Sequence, residues 1–166
     1  MDPLHRVRGW NSAGQFVESE REKLEAPGKP AFIIGDQYAI TGECTFYSTE
    51  ARKAVALKMP LVYCVDSDTP DNQYYFWPEY NYRAVRKGEN AIYVEDRGPG
   101  KLAPGWLGKW LRGEPVEFES PEPEAPPARM VSEFKTVKDL GVFNVEYRDR
   151  RFQFHQLHLW ACYDLK

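Results

Sequence analysis

The sequence is poor in cysteine and histidine and has no long apolar run. Its three cysteines, Cys44, Cys64 and Cys162, lie far apart and form no CxxC pair or Cys/His cluster. A structural zinc site draws its ligands from closely spaced pairs, so this spacing argues against one. An odd count leaves at least one thiol unpaired, and each cysteine sits in an apolar stretch, as a small buried hydrophobe does. Of the three histidines, His5 is in the opening segment, while His155 and His158 are three apart in a stretch that reads as a strand. That spacing puts them on opposite faces, poor geometry for one metal. No apolar run approaches the roughly 20 residues that cross a bilayer. The opening Met1 to Trp10 carries basic residues without the apolar core of a signal peptide. Basic excess is missing too: 22 Lys+Arg stand against 25 Asp+Glu, a formal charge of −3, which argues against a nucleic-acid binder. Nucleophile elbows, Gly-rich phosphate loops and dinucleotide fingerprints are all absent, so the expectation is a soluble chain with no catalytic residue, metal or cofactor.

What the chain does have is apolar and aromatic mass. Hydrophobic residues make up 42% and aromatics 14%, which excludes disorder of the whole chain. A chain of about 150 residues buries roughly 68–70% of its unfolded surface, enough for one domain spanning 1–166. Trp10, Ala13, Phe16, Val17 and Leu24 lie near one helical stripe, and Glu18 to Lys23 supply a solvated face. These predict a helix over 10–26, opened by a Ser12/Gln15 capping box and stopped by Pro27-Gly28-Lys29-Pro30. Continuous apolar runs at Ala31–Ile34, Leu61–Val65 and Ala91–Val94 read as strands covered on both faces, as in a parallel sheet. Gln37–Tyr47 reads as a helix with Asp36 as N-cap, and Trp106–Leu111 as a short one.

The prolines of 120–129 predict an extended surface loop. The alternating 142–163 stretch predicts an antiparallel hairpin that turns at Arg148-Asp149-Arg150. On its return, Phe152 and Phe154 differ in parity from Leu157 and Leu159, which calls for a bulge near His155-Gln156. The expected fold is α/β: a layered, Rossmann-like domain with a mainly parallel central sheet and a C-terminal antiparallel hairpin.

Two places could carry chemistry. Parallel strands ending in Asp36, Asp66/Asp68 and Glu95/Asp96 would gather carboxylates along the rim where α/β sheets bind ligands. Carboxylates there could hold a hard cation or the hydroxyls of a polar ligand, or simply cap helices and start turns. The second place is Asn72–Tyr82, six aromatics among eleven residues, interleaved with amides. Aromatic faces give platforms to the C–H face of a pyranose and amides bond its hydroxyls, but the same residues also pack cores and interfaces.

Gly35-Asp36-Gln37-Tyr38-Ala39-Ile40, then Glu43-Cys44-Thr45-Phe46-Tyr47, resembles a Gly-Asp-Arg-Tyr…Ser-Glu-Leu-Ala-Phe-Tyr segment of a known family. Val62-Tyr63-Cys64, Asn72-Gln73-Tyr74-Tyr75-Phe76-Trp77 and Gly88-Glu89-Asn90-Ala91-Ile92-Tyr93-Val94 match further segments in order. The chain is similar to the extracytoplasmic C-terminal domain of bacterial GT-C glycosyltransferases of the dolichyl-phosphate-mannose–protein mannosyltransferase type. Asp2-Pro3…Arg8-Gly9-Trp10 looks like the stretch just after the last membrane span.

That resemblance implies an accessory domain on the periplasmic face of the inner membrane. Its partners would be its own N-terminal transmembrane portion and a glycan or lipid-linked sugar, with no nucleic acid. The acidic catalytic residues of such enzymes lie in the membrane portion, which takes sugar from a polyprenyl-phosphate donor. Asp36, Tyr38, Glu43, Asn72, Gln73, Tyr74 and Trp77 would then line a groove for sugar or acceptor. Gln37 stands where those proteins carry Arg and cannot supply that charge. A structural or interaction module, a free-standing carbohydrate-binding domain and a free-standing enzyme using the acidic rim remain the alternatives.

Overall fold

A computed structural model describes residues 9–25, 27–67, 69–114, 119, 124–145 and 155–166. The apolar stripe of the first segment forms helix α1 (Trp10–Glu25), which buries Trp10, Ala13, Val17 and Leu24. The expected capping box is absent, because the helix has already begun before Ser12. With its backbone helical, Ser12 turns its hydroxyl back to donate to the Gly9 carbonyl at 2.8 Å. Gln15 donates instead to Asn11 Oδ1 at 3.2 Å.

Strand β1 (Ala31–Gly35) is buried along its whole length, as a two-sided apolar run demands. Helices α2 (Tyr38–Tyr47) and α3 (Thr49–Ala56) follow, then strand β2 (Val62–Cys64). Two 3₁₀ turns, Gln73–Phe76 and Pro78–Tyr80, and the single-turn helix α4 (Tyr82–Val85) lead to strand β3 (Asn90–Pro99). Helices α5 (Trp106–Leu111) and α6 (Ala128–Glu133) precede strands β4 (Phe134–Val145) and β5 (His155–Leu165). Of the expected proline-rich loop, 120–123 lie outside the described residues, 124–127 are irregular and Ala128 already opens α6.

The five strands form one mixed open sheet in the order β2-β1-β3-β5-β4. β1 pairs in parallel with β2 and β3, whereas β5 pairs antiparallel with both β3 and β4. The sheet is therefore only partly parallel. The last two strands are longer than expected: β4 starts at Phe134, eight residues before Val142, and β5 runs on to Leu165. The pattern hid this because Phe134–Val145 is half solvated, so its first turns read as polar. Tyr147, the 148–150 turn, Phe152 and Phe154 lie outside the described residues.

The expected bulge near His155-Gln156 is displaced. β5 keeps register with β4 there, Asn144 facing Gln156 and Val145 facing His155. The irregularity sits instead on β3, between Asp96 and Pro99, opposite the start of β5. A second one falls between Asp139 and Gly141 of β4, where Gly141 takes φ +88°.

Alternation along the strands divides the core in two. Ile33, Ile92, Val94, Leu157, Leu159 and Ala161 pack with α1, α2 and α3 on one face. Phe32, Ile34, Tyr63, Tyr93, Trp160 and Cys162 pack with Tyr82 of α4 and Met130 of α6 on the other. All three cysteines are buried and unpaired, as their apolar surroundings suggested. Among the described residues no helix is long and apolar enough to cross a membrane.

Candidate functional site

The C-terminal ends of β1 and β2 and the loop after β2 place the candidate residues. Asn72 extends its side chain back over the loop it opens: its Oδ1 accepts from the Tyr74 amide at 3.0 Å and its amide nitrogen points at Cys64 Sγ, 3.5 Å away. This cap starts the first 3₁₀ turn. Pro78 opens the second, and Asn81 closes it while capping α4 through the Ala84 amide at 3.1 Å. The two turns fold three rings onto one another. Tyr74 lies 4.9 Å from Tyr80 and 5.8 Å from Trp77 between centroids, and Trp77 lies 5.5 Å from Tyr80. Tyr80 in turn meets Tyr63 of β2 at 6.1 Å, tying the loop to the core.

These residues enclose a pocket of about 370 Å³. Its walls are the rings of Tyr74, Tyr75, Phe76, Trp77 and Tyr80; its polar edge is Asp66, Ser67, Asn72 and Asn81. Phe76, Tyr75 and Trp77 keep 69%, 48% and 41% of their surface exposed, so the apolar platform is open to a ligand. Asp66 is held by Arg83 at 3.4 Å, and Ser67 donates to Asp71. The arrangement offers ring faces beside hydroxyl-bonding groups.

Of the seven residues named from sequence, Asn72, Tyr74 and Trp77 line this pocket. Gln73 is exposed on the same turn but is not part of the wall. Asp36, Tyr38 and Glu43 also lie outside the wall. Tyr38 stands 65% exposed at the start of α2, and Glu43, on the same helix, has its carboxyl pushed up by partial burial. Ser67 was missed because only the chain's return past β2 brings it beside the aromatics.

Asp36 does not cap α2, whose N-cap is Gln37 with no side-chain bond. Its carboxylate turns across the sheet instead, Oδ2 accepting from the Asp96 amide of β3 at 2.9 Å. Oδ1 is buried without a hydrogen-bond partner. Burial, with the charges of Asp96 and Glu95, pushes this carboxyl up to about 6, although the bond from the Asp96 amide opposes the shift. The carboxylate rim thus exists along β1 and β3, while Asp68 lies outside the described residues. Comparison with protein-family models, curated proteins and solved structures finds no match to this chain.

Proposed function

We propose that this chain is a glycan-handling domain whose binding surface is the aromatic pocket of Asn72 to Asn81. The observation that carries this reading is the pocket itself: exposed Trp77, Phe76 and Tyr75 faces bordered by Asn72, Asn81, Ser67 and Asp66. Stacking of a pyranose on Trp77 with hydroxyls bonded to the amides and carboxylate would draw on both the apolar and the polar side of that wall. Together with the ordered family-like segments, it supports an accessory role in an extracytoplasmic portion of a membrane glycosyltransferase that draws on a polyprenyl-phosphate sugar. The same reading takes the sheet as a layered, Rossmann-like arrangement whose last two strands close as one hairpin.

Titration of the ¹⁵N-labelled chain with mono- and oligosaccharides and with polyprenyl-phosphate sugars tests this. Amides of Asn72–Asn81 and the Trp77 indole shift on binding, and Trp77→Ala removes the effect while the remaining spectrum stays folded. A silent titration with every sugar, or shifts confined elsewhere, overturns it. A second reading is favoured by the apolar side chains left bare on α2 and α3 and just after them. Tyr38, Phe46, Leu57 and Met59 are each more than 60% exposed, as a module docked on a membrane portion or partner would leave them.

A further inference from the structure

We propose that His158, Glu95 and Glu124 form a binding site for a first-row divalent cation, Zn²⁺ in the first instance. The site lies on the sheet face that carries Tyr93 and Trp160, and it does not depend on the glycan reading. The sequence placed Glu95 on the carboxylate rim but set no histidine beside it, and it put His155 and His158 on opposite faces of a strand. The ligands assemble instead from three separate segments, β3, the 124–127 stretch and β5.

Strand pairing brings two of them together. Glu95 of β3 is the ladder partner of His158 of β5, so their side chains rise from the same face as directly opposed neighbours. Glu124 reaches in from the irregular stretch before α6, one carboxylate oxygen 4.0 Å from His158 Nδ1. One ligand atom from each of the three residues falls within 4.8 Å of the others. Tetrahedral zinc with bonds of about 2.0–2.2 Å sets two ligand atoms about 3.4 Å apart, so closure needs a movement of about 1 Å. Glu124 is the least buried of the three and can supply it.

The state of the imidazole singles out this cluster. His158 is 3% exposed and stacks on Trp160 at 4.3 Å. Its Nε2 lies 2.7 Å from Asp139 Oδ1, and Nδ1 is buried with no hydrogen-bond partner. With the Nε2–H donated to Asp139, Nδ1 presents a bare lone pair on the side of the two glutamates. A carboxylate on the far nitrogen is the usual way a metal-ligating histidine is oriented and made more basic. The β4 irregularity serves that contact, since Asp139 Oδ1 also accepts from the Gly141 amide at 2.6 Å.

Charge agrees with a dication. Of the carboxylates Glu95, Glu124 and Asp139, Arg97 pairs with Glu124, through both of its terminal nitrogens, so three negative charges meet one positive charge. A carboxylate has lone pairs enough for both an arginine and a metal. Mixed imidazole and carboxylate donors suit zinc or manganese better than calcium, which prefers oxygen alone.

The test uses the full chain stripped with chelator. ZnCl₂ is titrated by calorimetry and CoCl₂ by visible absorption. One ion binds per chain, cobalt shows d–d bands of nitrogen–oxygen ligation, and Glu95→Gln and Glu124→Gln each weaken binding tenfold or more. Asp139→Asn, which acts only through the imidazole, weakens it about tenfold. His158→Ala removes a buried ring and endangers the fold, so the two glutamine variants carry the decision. Absence of saturable binding at millimolar ion, parent-like affinity in either glutamine variant, or a thiolate-to-cobalt band pointing to a cysteine overturns the proposal.

Discussion

Asp36 keeps one carboxylate oxygen on the Asp96 amide and the other buried without a partner. Its folded pKa of about 6 lies above its ordinary 3.8, so the folded chain holds this proton more tightly than the unfolded one. The contribution to stability is full below about pH 4 and is lost as the pH rises through about 6. Asp36→Asn keeps an acceptor for Asp96 while removing the charge. In metal-free buffer it should be more stable than the parent at pH 7.5, by about 1 kcal/mol once the shift is discounted for partial solvent access. Urea unfolding at pH 7.5 and pH 4 measures this, and a gap of equal size at both values refutes it.

Gly35, one residue earlier, makes the close approach of β1 to α2 possible. A Cβ there would stand 2.8 Å from Thr41 Oγ1 and 2.9 Å from the Thr41 backbone nitrogen. Backbone does not move aside cheaply, so Gly35→Ala should destabilise by about 1–3 kcal/mol, read as a lower urea midpoint. The Gly-Asp pair noticed in the sequence thus has a steric and a hydrogen-bonding cause, neither of which is capping.

At the level of elements, α1 is tied to the sheet by a buried guanidinium as well as by its apolar stripe. Arg21 is 5% exposed and bonds Glu18, Glu25 and the Ala31 carbonyl of β1, the last at 3.1 Å. Glu18 extends the network to Ser48, the N-cap of α3. Arg21→Met retains the stem but strands the half-buried Glu18 carboxylate and the Ala31 carbonyl, and should cost about 1–3 kcal/mol by chemical denaturation. A loss below half a kilocalorie would mean that water replaces the guanidinium.

Elements whose burial is two-sided were legible. β1, β2 and the first half of β3 are apolar runs with one reading, and the stripe of α1 fixed that helix within a residue. The polar half of β3 and the solvated start of β4 break the two-residue alternation that marks a one-sided strand, and α4 is too short to show a helical period. The pocket was half legible for a related reason. Its rings are contiguous in sequence, whereas Ser67 and Asp66 join them only through the path of β2. Asp36 looked like a partner of those rings because strand ends gather at one rim, and Glu43 only through the family resemblance, but nothing in a one-dimensional pattern sets how far each side chain reaches.

For the molecule as a whole, an ion held by β3, β5 and the segment before α6 would bind the native state and not the unfolded chain. At a hundredfold excess over its dissociation constant, Zn²⁺ should add about 2.7 kcal/mol and raise the melting temperature by roughly 5–10 °C for a chain of this size. Glu124→Gln, binding at least tenfold more weakly, should cut the increment at the same ion concentration to about 1.4 kcal/mol or less, without lowering the metal-free melting point by more than a few degrees. An equal increment in parent and variant would place the ion elsewhere.

The strand order has a last consequence, in time rather than space. β5 is inserted between β3 and β4, so two of the four ladders cannot exist until residues 155–165 have been synthesised. On the ribosome the early βα portion must wait with one long flank of β3 open, and the late strand closes the sheet as a wedge. Emergence of β5 is then the event that completes the domain, and premature termination before His155 leaves an open-edged intermediate for chaperones and proteases.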